Sequence, residues 1–116
     1  MIEVFHGRER LCTADVANSF YLRMLGLMFR KKLAVDHGLL IEFSKVLGSK
    51  SIHGFFMRFN LDLIFIDTDK KVVDICTLRP WSVYNPAREC AWVLEVNEGF
   101  IEEKNVKKGD VLSFQS

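Results

Sequence analysis

The most informative part of the sequence for the fold consists of three consecutive segments. They are Leu61-Asp-Leu-Ile-Phe-Ile66, Asp67-Thr-Asp-Lys-Lys71 and Val72-Val-Asp-Ile-Cys76. The first and third segments are rich in residues that favour β-strands, and the polar segment between them is typical of a turn. The stretch therefore predicts a β-hairpin, around which the rest of the chain is arranged.

Alternation along the first strand of this hairpin places a carboxylate on an apolar face. The residues expected on that face are Asp62, Ile64 and Ile66, and those expected on the opposite face are Leu61, Leu63 and Phe65. Because an unpaired buried charge is very costly, we expect an arginine to neutralise Asp62, with bidentate geometry. The arginines that could do so are Arg23, Arg30, Arg58 and Arg79. A register slip of one residue would reverse this assignment.

Further strands are predicted on both sides of the hairpin. Upstream, Ile2–His6 and Leu11–Ala14 pair around a turn at Gly7, and Leu39–Phe43 follows a turn at His37-Gly38. Downstream, strands are expected at Ala91–Val96 and Val111–Phe114. Apolar residues recur at helical spacing from Ala17 to Leu25 and predict a helix, and a second short helix is expected in 97–104 with Asn97 as its cap.

These elements predict an α+β fold. We expect a mostly antiparallel, strongly curved or barrel-like sheet of about seven short strands, with one or two helices, in a single domain spanning residues 1–116. Sixteen basic and fifteen acidic residues give a formal charge of +1, which argues against a general nucleic-acid binder.

Two features of the sequence indicate where in the cell the protein is located: the lengths of its apolar segments and the spacing of its cysteines. No segment reaches the length of apolar sequence that a membrane span needs, and the first ten residues do not resemble a secretory signal. Three cysteines, Cys12, Cys76 and Cys90, are widely spaced without a C-x-x-C motif. We expect a cytoplasmic protein with reduced thiols and no contact with membranes.

Several motifs together resemble one known family. They are Arg23-x-x-Gly-Leu-Met-Phe-Arg30, Gly38-Leu-Leu40, Ile52-His-Gly-Phe-Phe-Met-Arg-Phe59, Asp62-Leu-Ile-Phe-Ile-Asp67, Arg79-Pro-Trp81, Val93-Leu-Glu-Val96, Gly99 and Lys108-Gly-Asp110. In this order they resemble the domain-of-unknown-function family 192, also called uncharacterised protein family 0127. Gly54 and Asn60 depart from the residues usual in that family. The resemblance implies a fold and carries no activity with it.

Polar motif residues define a candidate ligand pocket. Its members are Arg23, Arg30, His53, Arg58, Asp62, Arg79 and Trp81. A histidine and several arginines suit a small anionic or polyhydroxylated ligand, for which Phe55, Phe56 and Trp81 could form an apolar or sugar-stacking wall. The alternative is a structural ion pair between Asp62 and an arginine that fixes the bend before the strand.

Metal binding and cysteine catalysis have less support. His53, Asp62 and Glu95 could bind a metal only if the strands brought them together, and their spacing does not indicate this. We expect no metal and no cofactor. Cys76 and Cys90 are read as small buried hydrophobes rather than nucleophiles. Glu95 is expected either on a solvated face or as the partner of an arginine.

These observations favour a non-catalytic binding or accessory domain, although they leave open whether the chain is an enzyme. The first alternative is an enzyme acting on a small anionic or carbohydrate substrate, with His53 as acid or base. The second is a protein-interaction module that uses a strand edge or an aromatic patch, with a homodimer as one form.

Overall fold

The computed structural model of the chain describes residues 1–17, 36–43, 52–53, 59–86 and 88–116, most of them in β-strands. The strands are β1 (Ile2–His6), β2 (Glu9–Ala17), β3 (His37–Glu42), β4 (Ile52–His53), β5 (Leu61–Ile66), β6 (Val72–Leu78), β7 (Val83–Tyr84), β8 (Trp92–Asn97) and β9 (Leu112–Gln115). The helix in the described residues, α1, spans Phe100–Glu103. That part of the chain contains no helix long and apolar enough to cross a membrane.

Seven of these strands form one curved sheet in the order β6-β5-β8-β3-β2-β1-β9. Strands β2 and β3 run parallel, and every other neighbouring pair in this sheet is antiparallel. Strands β4 and β7 form a separate two-stranded sheet, in which His53 lies opposite Val83. The sheet is therefore mixed but mostly antiparallel, as predicted.

Both faces of the large sheet are covered around β5, so every residue of this strand is buried. The inner face packs Ile64 and Ile66 against residues of β1, β2, β8 and α1. The outer face packs Leu61, Leu63 and Phe65 against residues of β3, β8 and the segment before β8. The predicted alternation along β5 is confirmed, because Asp62 lies on the same side as Ile64 and Ile66.

Backbone hydrogen bonds bring the two edges of the sheet together at one end. Val72 donates its N–H to the carbonyl of Asp110 at 2.8 Å, and Gly109 donates to the carbonyl of Val72 at 2.8 Å. Leu112 donates to the carbonyl of Lys70, also at 2.8 Å. These bonds join the start of β6 to the segment that leads into β9, so the sheet curls into a half-barrel.

The same end of the half-barrel carries an aromatic pair with a cation. The rings of Trp92 and Phe114 meet edge to face at 5.6 Å. The ammonium of Lys70 lies 4.4 Å from the centroid of the Trp92 ring and 5.4 Å from that of Phe114. Both rings pack against the inner core. Lys70 thus ties the turn of the β5–β6 hairpin to the last strand.

The structure corrects two local predictions. His37 and Gly38 belong to β3 rather than to a turn, because Gly38 allows close approach to β8: a β-carbon at this position would lie 3.0 Å from the Glu95 carbonyl oxygen. The short helix starts after Gly99, and Asn97 is the last residue of β8 rather than its cap. The helix predicted from Ala17 to Leu25 lies outside the described residues beyond Ala17.

The fold class is confirmed in its main feature, a curved and mostly antiparallel sheet. Its helix content, however, is very low, since α1 has only four residues in the described part of the chain.

Candidate functional site

Asp62 is buried at the helix-bearing end of the half-barrel, and its carboxylate has three hydrogen-bond donors. The Thr77 hydroxyl donates to Oδ1 at 2.8 Å from the neighbouring strand β6. The backbone N–H groups of Gly99 and Ile101 donate to Oδ2 at 3.0 and 3.1 Å. Only 3% of Asp62 is exposed. Asp62 therefore caps α1 from strand β5, and backbone and hydroxyl donors stabilise its charge.

The predicted arginine partner of Asp62 is not found among the described residues. Arg79 is exposed just beyond the end of β6, and its carbonyl accepts hydrogen bonds from Ser82, from the N–H at 3.2 Å and the hydroxyl at 2.6 Å. It makes no ion pair with Asp62. Arg23, Arg30 and Arg58 lie outside the described residues, so their pairing stays a prediction.

The other members of the predicted pocket are only partly placed. The backbone of His53 lies in β4 opposite Val83, two residues after Trp81. Trp81 is 62% exposed and has a φ of 65°. Tyr84 of the same small sheet contacts Phe65 on the outer face, with 5.6 Å between ring centroids. The Asp62 carboxylate, by contrast, lies on the inner face.

A second buried carboxylate, Asp74, lies on the outer face, and the sequence reasoning missed it. Its Oδ2 accepts a hydrogen bond of 2.6 Å from the Tyr84 hydroxyl, and its Oδ1 accepts the N–H of Ile75 at 2.9 Å. The Lys108 ammonium lies 3.9 Å from Oδ1. The hydrogen bond to Asp74 is the main cause that raises the pKa of Tyr84 to about 12. Tyr84 therefore remains a donor at neutral pH.

Glu95 lies on the outer face as well, opposite Leu39 and Leu63 in the neighbouring strands. It is only 1% exposed, so the expected solvated face is wrong. Both sides of β8 are covered, and alternation along the strand does not reveal this. Because Asp62 and Glu95 point to opposite faces, they cannot share a metal ion. No group of three or more metal-binding side chains occurs within the described ranges.

The thiols of Cys12 and Cys76 are less acidic than an ordinary thiol. Burial raises the pKa of Cys12 to about 11. Burial and the nearby Asp74 and Asp62 raise the pKa of Cys76 to about 12. Cys90 is buried. Thiols with raised pKa values are poor nucleophiles at neutral pH.

A cavity of about 320 Å³ lies where β6 meets the segment before β9. We call it the basic groove; its lining residues are Lys71, Val72, Val73, Arg88, Lys108 and Gly109. The lining combines three cationic side chains with two valines and one glycine. In the described part of the chain, no carboxylate forms an ion pair with Lys71 or Arg88. The groove is therefore an electropositive cavity.

The basic groove could not be found from the sequence, because its residues come from three separate segments. Hydrogen bonds between the sheet edges bring Lys71 and Lys108 together. The motif Lys108-Gly-Asp110 was a partial signal. In the structure its aspartate accepts the N–H of Lys107 at 2.9 Å, which fits the role in a turn that such a sequence indicates.

Fold and site together define a curled, sheet-rich half-barrel domain with buried carboxylates on both faces of its sheet. A family model described as DUF192, Uncharacterized ACR, COG1430, matches residues 2–114. A UPF0127 protein of Pyrococcus furiosus is 38% identical over 114 residues, covering 98% of this chain and 97% of that protein. A UPF0127 protein of Pyrococcus horikoshii is 38% identical over 100 residues, covering 85% and 84%. The chain belongs to the DUF192 (UPF0127) family.

Two solved structures share the fold. A crystal structure described as "a putative transcription regulator" from Sinorhizobium meliloti 1021 matches with a TM-score of 0.78 and 25% identity, covering 97% of this chain and 91% of that one. A protein of unknown function from Novosphingobium aromaticivorans matches with a TM-score of 0.81 and 23% identity, covering 97% and 82%. The second likeness concerns the fold alone.

Proposed function

We propose that this chain is a non-catalytic binding domain for a small anionic ligand, which it holds in the basic groove. The observation that carries the proposal is the convergence of Lys71, Arg88 and Lys108 on one cavity of about 320 Å³. That volume is near the lower end of the range typical for small-molecule sites.

The charges of the groove favour an anion over a neutral ligand. Surface cations are usually interspersed with acids, but no described carboxylate forms an ion pair with Lys71 or Arg88. The guanidinium of Arg88 has donors arranged to grip a carboxylate or phosphate with two parallel hydrogen bonds, and lysine ammonium groups add point charges. An anion that enters the groove therefore meets two cations, Lys71 and Arg88, that have no ion-pair partner among the described residues, whereas Lys108 already lies 3.9 Å from Asp74.

The lining supports binding rather than chemistry. It contains no histidine, cysteine, serine or carboxylate among the described residues, so it supplies neither a nucleophile nor a general base for neutral pH. The two valines shape the cavity without reacting. An enzyme built on this groove would need catalytic groups beyond the described lining residues.

A titration with simple anions tests the proposal. The full chain is titrated with inorganic phosphate, citrate and succinate by isothermal calorimetry, and the same is done for the double variant Lys71→Ala/Arg88→Ala. We expect at least one anion to bind, and the double variant to weaken binding by about 10- to 30-fold, because two charge-assisted contacts are lost. Lys107→Ala removes a neighbouring exposed cation outside the lining and serves as the matched control.

The outcomes of this titration are distinct. If the double variant and Lys107→Ala weakened anion binding equally, the loss of affinity would follow from net charge alone. This result would contradict binding in the basic groove. Failure of all three anions to bind the wild-type protein would contradict the proposed function itself.

The pocket predicted from the sequence is the second candidate location for an anionic or polyhydroxylated ligand. Arg79 and Trp81 are its exposed members in the described residues, near the small β4–β7 sheet. The double variant Arg79→Ala/Trp81→Ala distinguishes the two locations, because it leaves the basic groove intact. Loss of anion binding in this variant, with no effect of the groove variant, would place the ligand at the predicted pocket.

A further inference from the structure

Asp74 places a negative charge directly beside the basic groove. Its side chain is only 4% exposed, and the ammonium of Lys108, which lines the groove, lies 3.9 Å from its Oδ1. The Tyr84 hydroxyl donates a hydrogen bond to Oδ2 at 2.6 Å, and the N–H of Ile75 donates one to Oδ1 at 2.9 Å. The carboxylate is therefore fixed in place by two donors that do not belong to the groove.

Lys108 is held much more loosely than Asp74. The distance of 3.9 Å to Asp74 exceeds the roughly 2.7–2.9 Å of a charge-assisted hydrogen bond. The Lys108 side chain is 64% exposed. Its ammonium can therefore turn toward an anion in the groove, whereas Asp74 cannot follow it or leave. A ligand that recruits Lys108 gains one attractive contact and still feels repulsion from Asp74.

We propose, building on the function proposed above, that Asp74 determines the charge of the ligand and that the groove selects a compact dianion. Three lining cations and this one carboxylate give the groove a formal charge of +2. Among the described residues, the lining offers no aromatic ring to stack on a base or a sugar. The ligand class is therefore a small molecule with two negative charges and no ring requirement, such as a dicarboxylate or a phosphate monoester.

Removing the charge of Asp74 changes the free energy of binding in proportion to the charge of the ligand. The variant Asp74→Asn keeps the shape of the side chain and an oxygen that accepts from Tyr84, but it removes the repulsion. The gain in affinity is expected to be about two- to threefold for a monoanion and about four- to tenfold for a dianion, since the Coulomb energy scales with ligand charge.

A matched pair of probes measures this charge dependence. Succinate carries two negative charges, and succinamate has nearly the same shape with one. Both are titrated by calorimetry into the full wild-type chain and into Asp74→Asn at constant ionic strength. We expect the wild type to prefer succinate, and the ratio of the two dissociation constants to grow about two- to fourfold in Asp74→Asn.

A second variant keeps the proposal testable if Asp74→Asn does not fold. Lys108→Gln changes an exposed side chain, leaves Asp74 in place, and is expected to reduce the preference for succinate by about three- to tenfold while succinamate binding changes less. Lys107→Gln is the control and should leave the ratio unchanged.

Each outcome separates this inference from the proposed function. If wild-type protein binds anions but neither variant changes the ratio of affinities, Asp74 plays no part in selecting the ligand, and the binding function stands. If neither succinate, phosphate nor citrate binds the wild type, both proposals are overturned.

Discussion

The carboxylate of Asp62 accepts the backbone N–H of Gly99 at 3.0 Å and so fastens strand β5 to the start of helix α1. A helix of four residues is too short to be stable alone, and no side chain next to α1 caps its first turn. The cap comes instead from a strand that is distant in sequence. The same contact stabilises a buried carboxylate at one end of the half-barrel.

Replacing Asp62 should therefore destabilise the protein more than its single charge suggests. Asp62→Ala leaves the part-buried N–H groups of Gly99 and Ile101 without this acceptor and removes the partner of the Thr77 hydroxyl, and we expect the free energy of unfolding to fall by about 1–3 kcal/mol. Urea denaturation followed by circular dichroism measures this. Asp69→Ala, in the exposed hairpin turn, is the control and should change stability by less than about 0.5 kcal/mol. A value for Asp62→Ala as small as that of the control would contradict the capping role.

The sequence predicted the direction of Asp62 but not the donors that the structure shows for it, while pairing with Arg23, Arg30 or Arg58 stays a prediction. Strand periodicity is local, so six residues were enough to place Asp62 beside Ile64 on a buried face. The donors, however, come from Gly99 and Ile101, which are 37 and 39 residues away. Every residue except proline has a backbone N–H group, so residue identity does not show which of these groups will donate to a buried carboxylate. An arginine was the expected partner because side chains are the only donors that a sequence displays.

Glu95 and the basic groove were missed for a related reason. Alternation shows that a strand has two faces, but it does not show that both faces of β8 are covered, as they are around Glu95. Lys71 and Lys108 meet only because the sheet closes on itself. Features that depend on closure of the whole sheet were therefore not predictable from separate segments.

Because of the hydrogen bond from Tyr84 to Asp74, the free energy of unfolding should fall as the pH rises in the alkaline range. The pKa of Tyr84 rises from 10.0 to about 12 on folding, so the unfolded chain loses this proton first. Between these values the folded state binds more protons than the unfolded state, and stability falls as pH rises. Tyr84→Phe has no such proton. Its free energy of unfolding, measured by urea denaturation, should decline less steeply above about pH 10 than that of the wild type.

The pKa values of two thiols are raised as well, and these thiols also make stability fall with rising pH. The test is therefore the difference between the pH profiles of wild type and Tyr84→Phe, not the slope of either profile alone. Cys12 and Cys76 both have raised pKa values, and they are present in wild type and Tyr84→Phe alike. Parallel pH profiles for the two proteins would show that the hydrogen bond does not contribute.

Cys76 should react slowly with alkylating reagents although it is partly exposed. Burial, together with Asp74 and Asp62, raises its pKa to about 12. At pH 8 its thiolate fraction is then about a thousandfold below that of an ordinary thiol, and the rate of alkylation by iodoacetamide should fall accordingly. Peptide mass spectrometry follows the modification, with urea-unfolded protein as the reference. A rate that levels off near about pH 9 would indicate a thiol of ordinary pKa and would contradict the raised value.

The position of Lys70 over Trp92 should contribute measurably to stability. Lys70→Met keeps the apolar stem but removes the cation, and the free energy of unfolding is expected to drop by about 0.5–1 kcal/mol. Lys71→Met, at the neighbouring exposed position, is the control. Fluorescence in a Trp81→Phe background isolates Trp92, because the chain has two tryptophans. An unchanged Trp92 spectrum and unchanged stability in Lys70→Met would argue against the contact.

Gly38 permits the close packing of β3 on β8, and an added methyl group should disrupt it. A β-carbon there would lie 3.0 Å from the carbonyl oxygen of Glu95 and 3.0 Å from Cγ1 of Val96. The carbonyl cannot move freely, since β8 is paired with strands on both sides. We therefore expect Gly38→Ala to lower the free energy of unfolding by about 1–3 kcal/mol, as measured by urea denaturation.

Gly7→Ala separates crowding from backbone strain. Gly7 has a φ of +64°, but no atom lies within 4 Å of a β-carbon built there. Its substitution should cost about 1 kcal/mol through conformation alone. Ordinarily, replacing glycine by alanine where the backbone permits it stabilises a protein by restricting the unfolded chain. A gain in stability for Gly38→Ala would therefore mean that β3 and β8 can separate at low cost, and that the tight contact at Gly38 does not hold this part of the half-barrel together.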